Sequence, residues 1–179
     1  MYRNYKYVDM FGKGLLIGIV VCFIGASALF FIDTEVSVIQ KVKLSKSSFY
    51  VLEEIVDLKK FQEWDPRAIK DSLISVEFIG TPGIGMKAVT KGKKGLFINE
   101  YEVINIKPLE SAEIILRLKG GNELFYHFDL KNLESGSELS WSVAFKAPLF
   151  ATLVGVEDKI KNEFKEGFVV LKNRLNSSY

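Results

Sequence analysis

Cysteine, histidine and proline are nearly missing from this 179-residue chain, which holds one, one and four of them. The single cysteine, Cys22, excludes an intramolecular disulfide and leaves stability to packing. The single histidine, His127, has no Cys-x-x-Cys, His-x-x-x-His or His/carboxylate motif beside it, so no zinc site is read. No Ser-His-Asp or Cys-His nucleophile arrangement is found, and no nucleophile or substrate lies within implied reach of the imidazole. A P-loop and a dinucleotide fingerprint are absent too, because the glycines of Gly80–Gly85 precede a strand rather than a helix. No cofactor is expected. An excess of charge is missing from most of the chain as well. The net charge is +2, and Arg3, Lys6 and Lys13 against Asp9 account for all of it. The neutral remainder gives no electrostatic case for a nucleic-acid partner.

What is present first is a run without charge. Gly14 to Ile32 reads GLLIGIVVCFIGASALFFI. As a helix it would be roughly 28 Å long, which matches a hydrocarbon core. The basic residues before the run and Asp33 and Glu35 after it predict residues 1–13 as a cytoplasmic flank, 14–32 as a transmembrane anchor, and a domain on the extracytoplasmic side. The competing reading is a cleaved signal peptide, with Ala26-Ser27-Ala28 as the cleavage site. Gly14 and Gly18 form a GxxxG spacing of the kind that pairs helices. Asn176-Ser177-Ser178 matches a glycosylation sequon at the C-terminus.

Beyond Asp33 the pattern is that of one α+β domain over residues 35–175. Residues 35–46 alternate as a first strand. Ser45 to Ser48 offers helix caps, and Val51, Leu52 and Ile55 share one face of the helix that follows. Asp57 to Trp64 reads as a second short helix, which Asp65-Pro66 ends. Six strands follow, near 73–79, 84–91, 96–106, 111–119, 123–131 and 138–146, separated by Gly- and Pro-containing turns. Leu124, Tyr126, Phe128 and Leu130 alternate onto one face, as do Leu139, Trp141, Val143 and Phe145. The last segment carries Leu153, Val156, Ile160, Phe164, Phe168, Leu171 and Leu175 as one helical stripe long enough to cover the sheet.

Four segments extend this pattern: Asp57 with Glu63-Trp64-Asp65-Pro66, Gly80 to Gly85, Leu139-Ser140-Trp141, and Gly167 to Lys172. In that order they resemble motifs of the START/Bet v 1-like (SRPBCC) superfamily, in particular its polyketide cyclase/dehydrase-like branch with an N-terminal membrane helix. The branch often continues past its W-x-P with a second aromatic and an acidic residue, where Arg67 and Ala68 stand here. The resemblance implies a helix-grip fold, a curved antiparallel sheet wrapped on a long C-terminal helix. It also implies a cavity between the two for a lipophilic molecule or lipid. The residues expected to form its wall are Tyr126, Phe128, Trp141, Val143, Phe164 and Phe168, with Trp64 either pinning the short helices or standing at the mouth. The protein is thus expected to bind a lipophilic small molecule or lipid at a membrane.

Two other classes stay open at this stage. An enzyme of cyclase or dehydratase type would use a buried carboxylate such as Glu100, if the face shared by Glu100 and Glu102 turns inward; paired carboxylates favour water, which instead points Tyr101 and Val103 inward. A non-catalytic interaction module would have a filled core. Lys87, Lys91, Lys93 and Lys94 crowd one hairpin, read either as a solvated turn or as a contact for anionic head groups. His127 alternates away from the apolar face of its strand and reads as a surface or edge residue.

Overall fold

The computed structural model describes residues 15–23, 25, 27, 31–69, 75–92 and 96–177. The flank 1–13, Gly14 of the GxxxG spacing, Lys93 and Lys94 of the basic hairpin and Ser178 of the sequon lie outside them.

The expectation of a transmembrane anchor is corrected, and with it the placement of the domain outside a membrane and the N-terminus in the cytoplasm. Among the described residues no helix is long and apolar enough to cross a membrane. Leu15–Phe23, Gly25 and Ser27 are helical. Phe31 is already in a turn, and β1 begins at Asp33.

Among the described residues, seven strands and five helices follow. Strand β1 is Asp33–Leu44, and helices α1 (Ser48–Val56), α2 (Leu58–Gln62) and α3 (Pro66–Ile69) come next. The meander is β2 (Ser75–Ile79), β3 (Lys87–Lys91), β4 (Phe97–Lys107), β5 (Ser111–Leu118), β6 (Glu123–Leu133) and β7 (Gly136–Pro148). Helices α4 (Leu149–Leu153) and α5 (Val156–Ser177) end the chain. The sheet order is β1-β7-β6-β5-β4-β3-β2, and the pairs from β2 through β7 are antiparallel.

The alternation read from the sequence sets the two faces of the sheet. In β6, Leu124, Tyr126, Phe128 and Leu130 are buried; in β7, Ser137, Leu139, Trp141 and Val143 are. The register places Tyr126 opposite Val143 and Phe128 opposite Trp141. A strand's side chains alternate by two, so this register gathers those side chains on the covered face and leaves Phe125 on the outer one.

The short helices depart from expectation by one element. Asp57 caps α2, its carboxylate accepting from Lys59 N at 3.0 Å. Asp65-Pro66 ends that helical stretch as expected, but Pro66 also starts the extra turn α3. A proline is tolerated at a first helical position because its missing N–H has no intrahelical acceptor there.

The chain falls into two compact units. One joins Met1–Glu35 to Lys146–Val156. Within it Leu149 N donates to Ile32 O at 2.7 Å and the Thr34 hydroxyl to Ala147 O at 3.2 Å. The other comprises Val36–Phe145 and Glu157–Tyr179 and holds every residue of the site described next. The division corrects the helical stripe, which was expected to start at Leu153. Gly155 at φ +84 breaks the chain there, so Leu153 belongs to α4 and is exposed.

Candidate ligand-binding site

The covered sheet face and α5 meet through aromatic rings. Trp141 stacks on Phe164 with centroids 3.9 Å apart and planes 13° from parallel. Tyr126 meets Trp141 edge-on at 5.4 Å and Phe164 at 6.2 Å. Phe168 touches Trp141 at 5.9 Å, and Phe128 lies 5.3 Å from it. Phe61 of α2 adds edge contacts to Trp64, Tyr101, Phe128 and Trp141. Each such pair contributes roughly 0.5–1.5 kcal/mol beyond the area it buries. The expected wall residues Trp64, Tyr126, Phe128, Trp141, Val143, Phe164 and Phe168 are thus brought together, all at 5% exposure or less. They seal one another, the filled arrangement expected of an interaction module, so a ligand enters between them only when side chains move apart.

Three of the four motif segments converge here. A side-chain carbon on Gly167 would stand 3.1 Å from Pro66 Cδ, 3.2 Å from the Trp64 carbonyl and 3.3 Å from Trp141 Cζ3. Glycine at that position lets α5 approach the short-helix turn and β7 together. Trp64 is held by its indole N–H, which donates to Glu54 O at 3.2 Å.

A polar set adjoins the rings. The Tyr101 hydroxyl donates to Asp65 Oδ2 at 2.5 Å, and Arg67 N donates to Asp65 Oδ1 at 3.3 Å. Asp65 and Tyr101 are each only 1% exposed. Burial pushes the Asp65 carboxyl above the ordinary carboxylate range, against the opposing pull of the Tyr101 hydrogen bond and the Arg67 charge. Burial also raises the Tyr101 phenol, as does the neighbouring Asp65, and burial raises Tyr126. Arg67 Nε donates to Glu163 Oε2 on α5 at 3.0 Å, and its guanidinium carbon lies 5.9 Å from the Tyr126 ring centre. Burial works against the Arg67 charge, but Tyr126 and Glu163 beside it hold the guanidinium protonated. Asp65, Arg67, Tyr101 and Glu163 were not among the residues expected at the site. The available sign was an acidic and a basic residue flanking Pro66, directly after a tryptophan.

Two polar atoms on the covered face stay unbonded. The Trp141 indole N–H and the Asn99 side-chain oxygen are both buried and have no hydrogen-bond partner.

Glu100 and Glu102 do not join this site. They lie on the opposite face, where Arg117 Nη1 reaches Glu100 at 2.8 Å and Glu102 at 2.5 Å, and Lys87 pairs with both. Hydrogen bonding from Arg117 lowers the Glu102 carboxyl. Glu100→Gln is expected to change stability by less than about 1 kcal/mol, and less again in 1 M salt, as urea unfolding would measure. His127 sits on the same outer face, 3.2 Å from Glu113 and 2.9 Å from Asp129. Among the described residues no group of three or more His, Cys, Asp or Glu side chains is placed to hold a metal ion.

No family model matches the chain, and no curated protein matches it. Solved structures do. A protein of unknown function from Staphylococcus aureus, SA2116, superposes with a TM-score of 0.65 at 11% identity over 82% of this chain and 96% of its own. Ara h 8.0201 gives 0.58 at 16% identity over 81% of this chain and all of its own. DynU16, from the dynemicin biosynthetic locus, gives 0.55 at 14% identity over 79% of this chain and 47% of its own. Identities this low speak for the fold alone. The curved seven-stranded antiparallel sheet closed by one long C-terminal helix is a Bet v 1-like, helix-grip fold.

Proposed function

We propose that this protein binds a lipophilic small molecule between the covered face of its sheet and α5. The observation that carries the reading is the composition of that interface. Aromatic and aliphatic side chains of β6, β7 and α5 form an apolar wall, and a few polar groups, Asp65, Tyr101, Arg67 and Glu163, converge beside it. Small-molecule sites have this character, with a largely apolar lining and a small number of placed polar groups. The Bet v 1-like fold supports the reading, and the four motif segments favour its polyketide cyclase/dehydrase-like branch. Binding would draw its free energy from apolar ligand surface removed from water, roughly 25 cal/mol per Å² before the costs of association.

The Arg67–Glu163 pair ties the α3 turn to α5, so it helps to close the site. Its side chains are 25% and 15% exposed, sheltered enough for the loss of one partner to matter. Glu163→Ala is expected to cost about 1–2 kcal/mol in urea unfolding, because the Arg67 charge loses its counter-ion in a half-buried position. A cost under about 0.3 kcal/mol would show that the pair closes nothing.

The reading is tested by native mass spectrometry of the full chain isolated without detergent, with organic extraction of whatever accompanies it. A reproducible lipophilic mass supports it. A bare chain that dodecanoate, fluorene and 9-fluorenone all fail to stabilise against heat would overturn it.

A further inference from the structure

Among the aromatic rings of the interface, Trp141 carries a buried polar atom that the packing leaves without a partner. The chain has two tryptophans. Both are sealed, Trp64 at 0% and Trp141 at 1% exposure. Trp64 donates its indole N–H to Glu54 O at 3.2 Å. Trp141 donates to nothing, although its ring is the most connected in the cluster, touching Phe61, Trp64, Tyr126, Phe128, Phe164 and Phe168. Buried indole N–H groups ordinarily find an acceptor, and leaving one unmade forfeits the hydrogen bond that water would have supplied. A phenylalanine would keep the stack on Phe164 without that cost. The indole is therefore out of place in a merely filled core, and its position on β7, stacked on Phe164 of α5, puts an unpaired donor within the proposed binding interface.

We infer that the Trp141 indole N–H is the specificity contact of the site, and that the ligand is a neutral lipophilic molecule presenting a carbonyl-type acceptor to it. This rests on the binding reading above. The charges nearby argue for a neutral ligand. The Arg67 guanidinium already has Glu163 as its counter-ion, and Asp65 already accepts from Tyr101 and Arg67 N, so neither a free cation nor a free carboxylate waits there for a charged group. An aromatic or alicyclic ketone suits the surroundings. Its skeleton would lie among rings, and its oxygen would take the unpaired indole N–H set among them. To reach that donor, the α5 side chains that seal Trp141, Phe164 and Phe168, must give way.

The experiment compares 9-fluorenone with fluorene, which share a skeleton and differ by one carbonyl oxygen. With the full chain labelled with 15N, the two indole N–H resonances are followed during titration and assigned with Trp141→Phe. Fluorenone is expected to move the Trp141 resonance downfield and to bind 3- to 10-fold more tightly than fluorene, while the Trp64 resonance stays near its place. In Trp141→Phe the preference for fluorenone over fluorene should fall to within 2-fold, whatever the change in affinity common to both compounds. Equal binding of both compounds with an unmoved Trp141 resonance overturns the inference and leaves the binding reading standing. An indole resonance already bonded to a resident water in the empty protein, seen as a cross-peak to water that fluorenone does not remove, overturns it as well. Binding of neither compound, with no co-purifying lipophilic mass, brings down the binding reading and the inference with it.

Discussion

Gly136→Ala is expected to destabilise the protein by more than about 4 kcal/mol, to the point where little folded chain is recovered. Gly136 opens β7 opposite Leu133, with φ at +99. That conformation alone costs a residue with a side chain roughly 1–3 kcal/mol. The steric clash costs more. An added Cβ would stand 2.0 Å from the Leu44 carbonyl oxygen and 3.0 Å from the carbonyl carbons of Leu44 and Ser45. These are backbone atoms at the end of β1, so no side chain can turn aside to make room. The same corner is tied by the Ser137 hydroxyl, which donates to Lys46 O at 2.8 Å, and by Ser48 N, which donates to the Asn132 side chain at 3.3 Å. Moving Gly136 away would break both bonds and disturb the start of α1. Ser135→Ala, one residue earlier on an exposed turn position, is the control and should change stability by less than about 0.5 kcal/mol. Urea unfolding followed by tryptophan fluorescence measures both. A Gly136→Ala protein within about 1 kcal/mol of the parent would mean that β1 and the β6–β7 turn do not meet as described.

The strands and the last helix were legible because their signal is local. Period-two alternation in 123–131 and 138–146 names the covered face of β6 and β7 directly, and the three- and four-residue steps from Ile160 to Leu175 name the covered stripe of α5. Where the pattern misled, one residue or one length outweighed the period. Leu153 keeps the helical step but falls before Gly155, whose positive φ starts the helix anew. The run from Gly14 has the composition of a membrane span, yet among the described residues no helix is long and apolar enough to cross a membrane. The aromatic wall could be assembled from alternation alone, since strands and helix each declare an inner face. The polar set could not. Asp65 and Arg67 come from a turn, Tyr101 from β4 and Glu163 from α5, and only the sheet register and the close seat of Gly167 against Pro66 and Trp141 bring them near one another. Glu100 was a candidate acid only if its face turned inward, and the wet-face reading, with Tyr101 and Val103 inward, is the one the burial bears out. One position along, Tyr101 is the residue that faces inward, and it finds a different carboxylate.

Asp65 yields the second large effect, and its sign separates two roles of the carboxyl group. Asp65→Ala is expected to cost about 2–4 kcal/mol, since the Tyr101 hydroxyl would be left buried without an acceptor and Arg67 N would lose its partner at the start of α3. Asp65→Asn removes the ionisable proton and keeps one acceptor oxygen for Arg67 N, while its amide N–H can donate to a reoriented Tyr101 hydroxyl, so its cost should be smaller. The pH profile carries the sharper distinction. Burial holds the folded Asp65 pKa above the unfolded value. The folded protein then binds more protons than the unfolded chain across the interval between the two values, so stability falls as pH rises through it. This contribution is fully present below the unfolded carboxyl value, near about pH 4, and is lost as pH climbs through the raised folded one. Asp65→Asn has no proton to lose there, so its urea midpoint should fall less steeply with rising pH than that of the parent. At neutral pH the gap between the two should narrow or reverse in favour of the asparagine. Tyr101→Phe should do the opposite, since deleting the hydrogen bond that favours the ionised carboxylate raises the folded pKa further and extends the decline to higher pH. Parallel pH profiles for all three proteins would show that Asp65 keeps an ordinary carboxyl in the folded state, and that the polar set beside the aromatic wall is open to water rather than sealed with it.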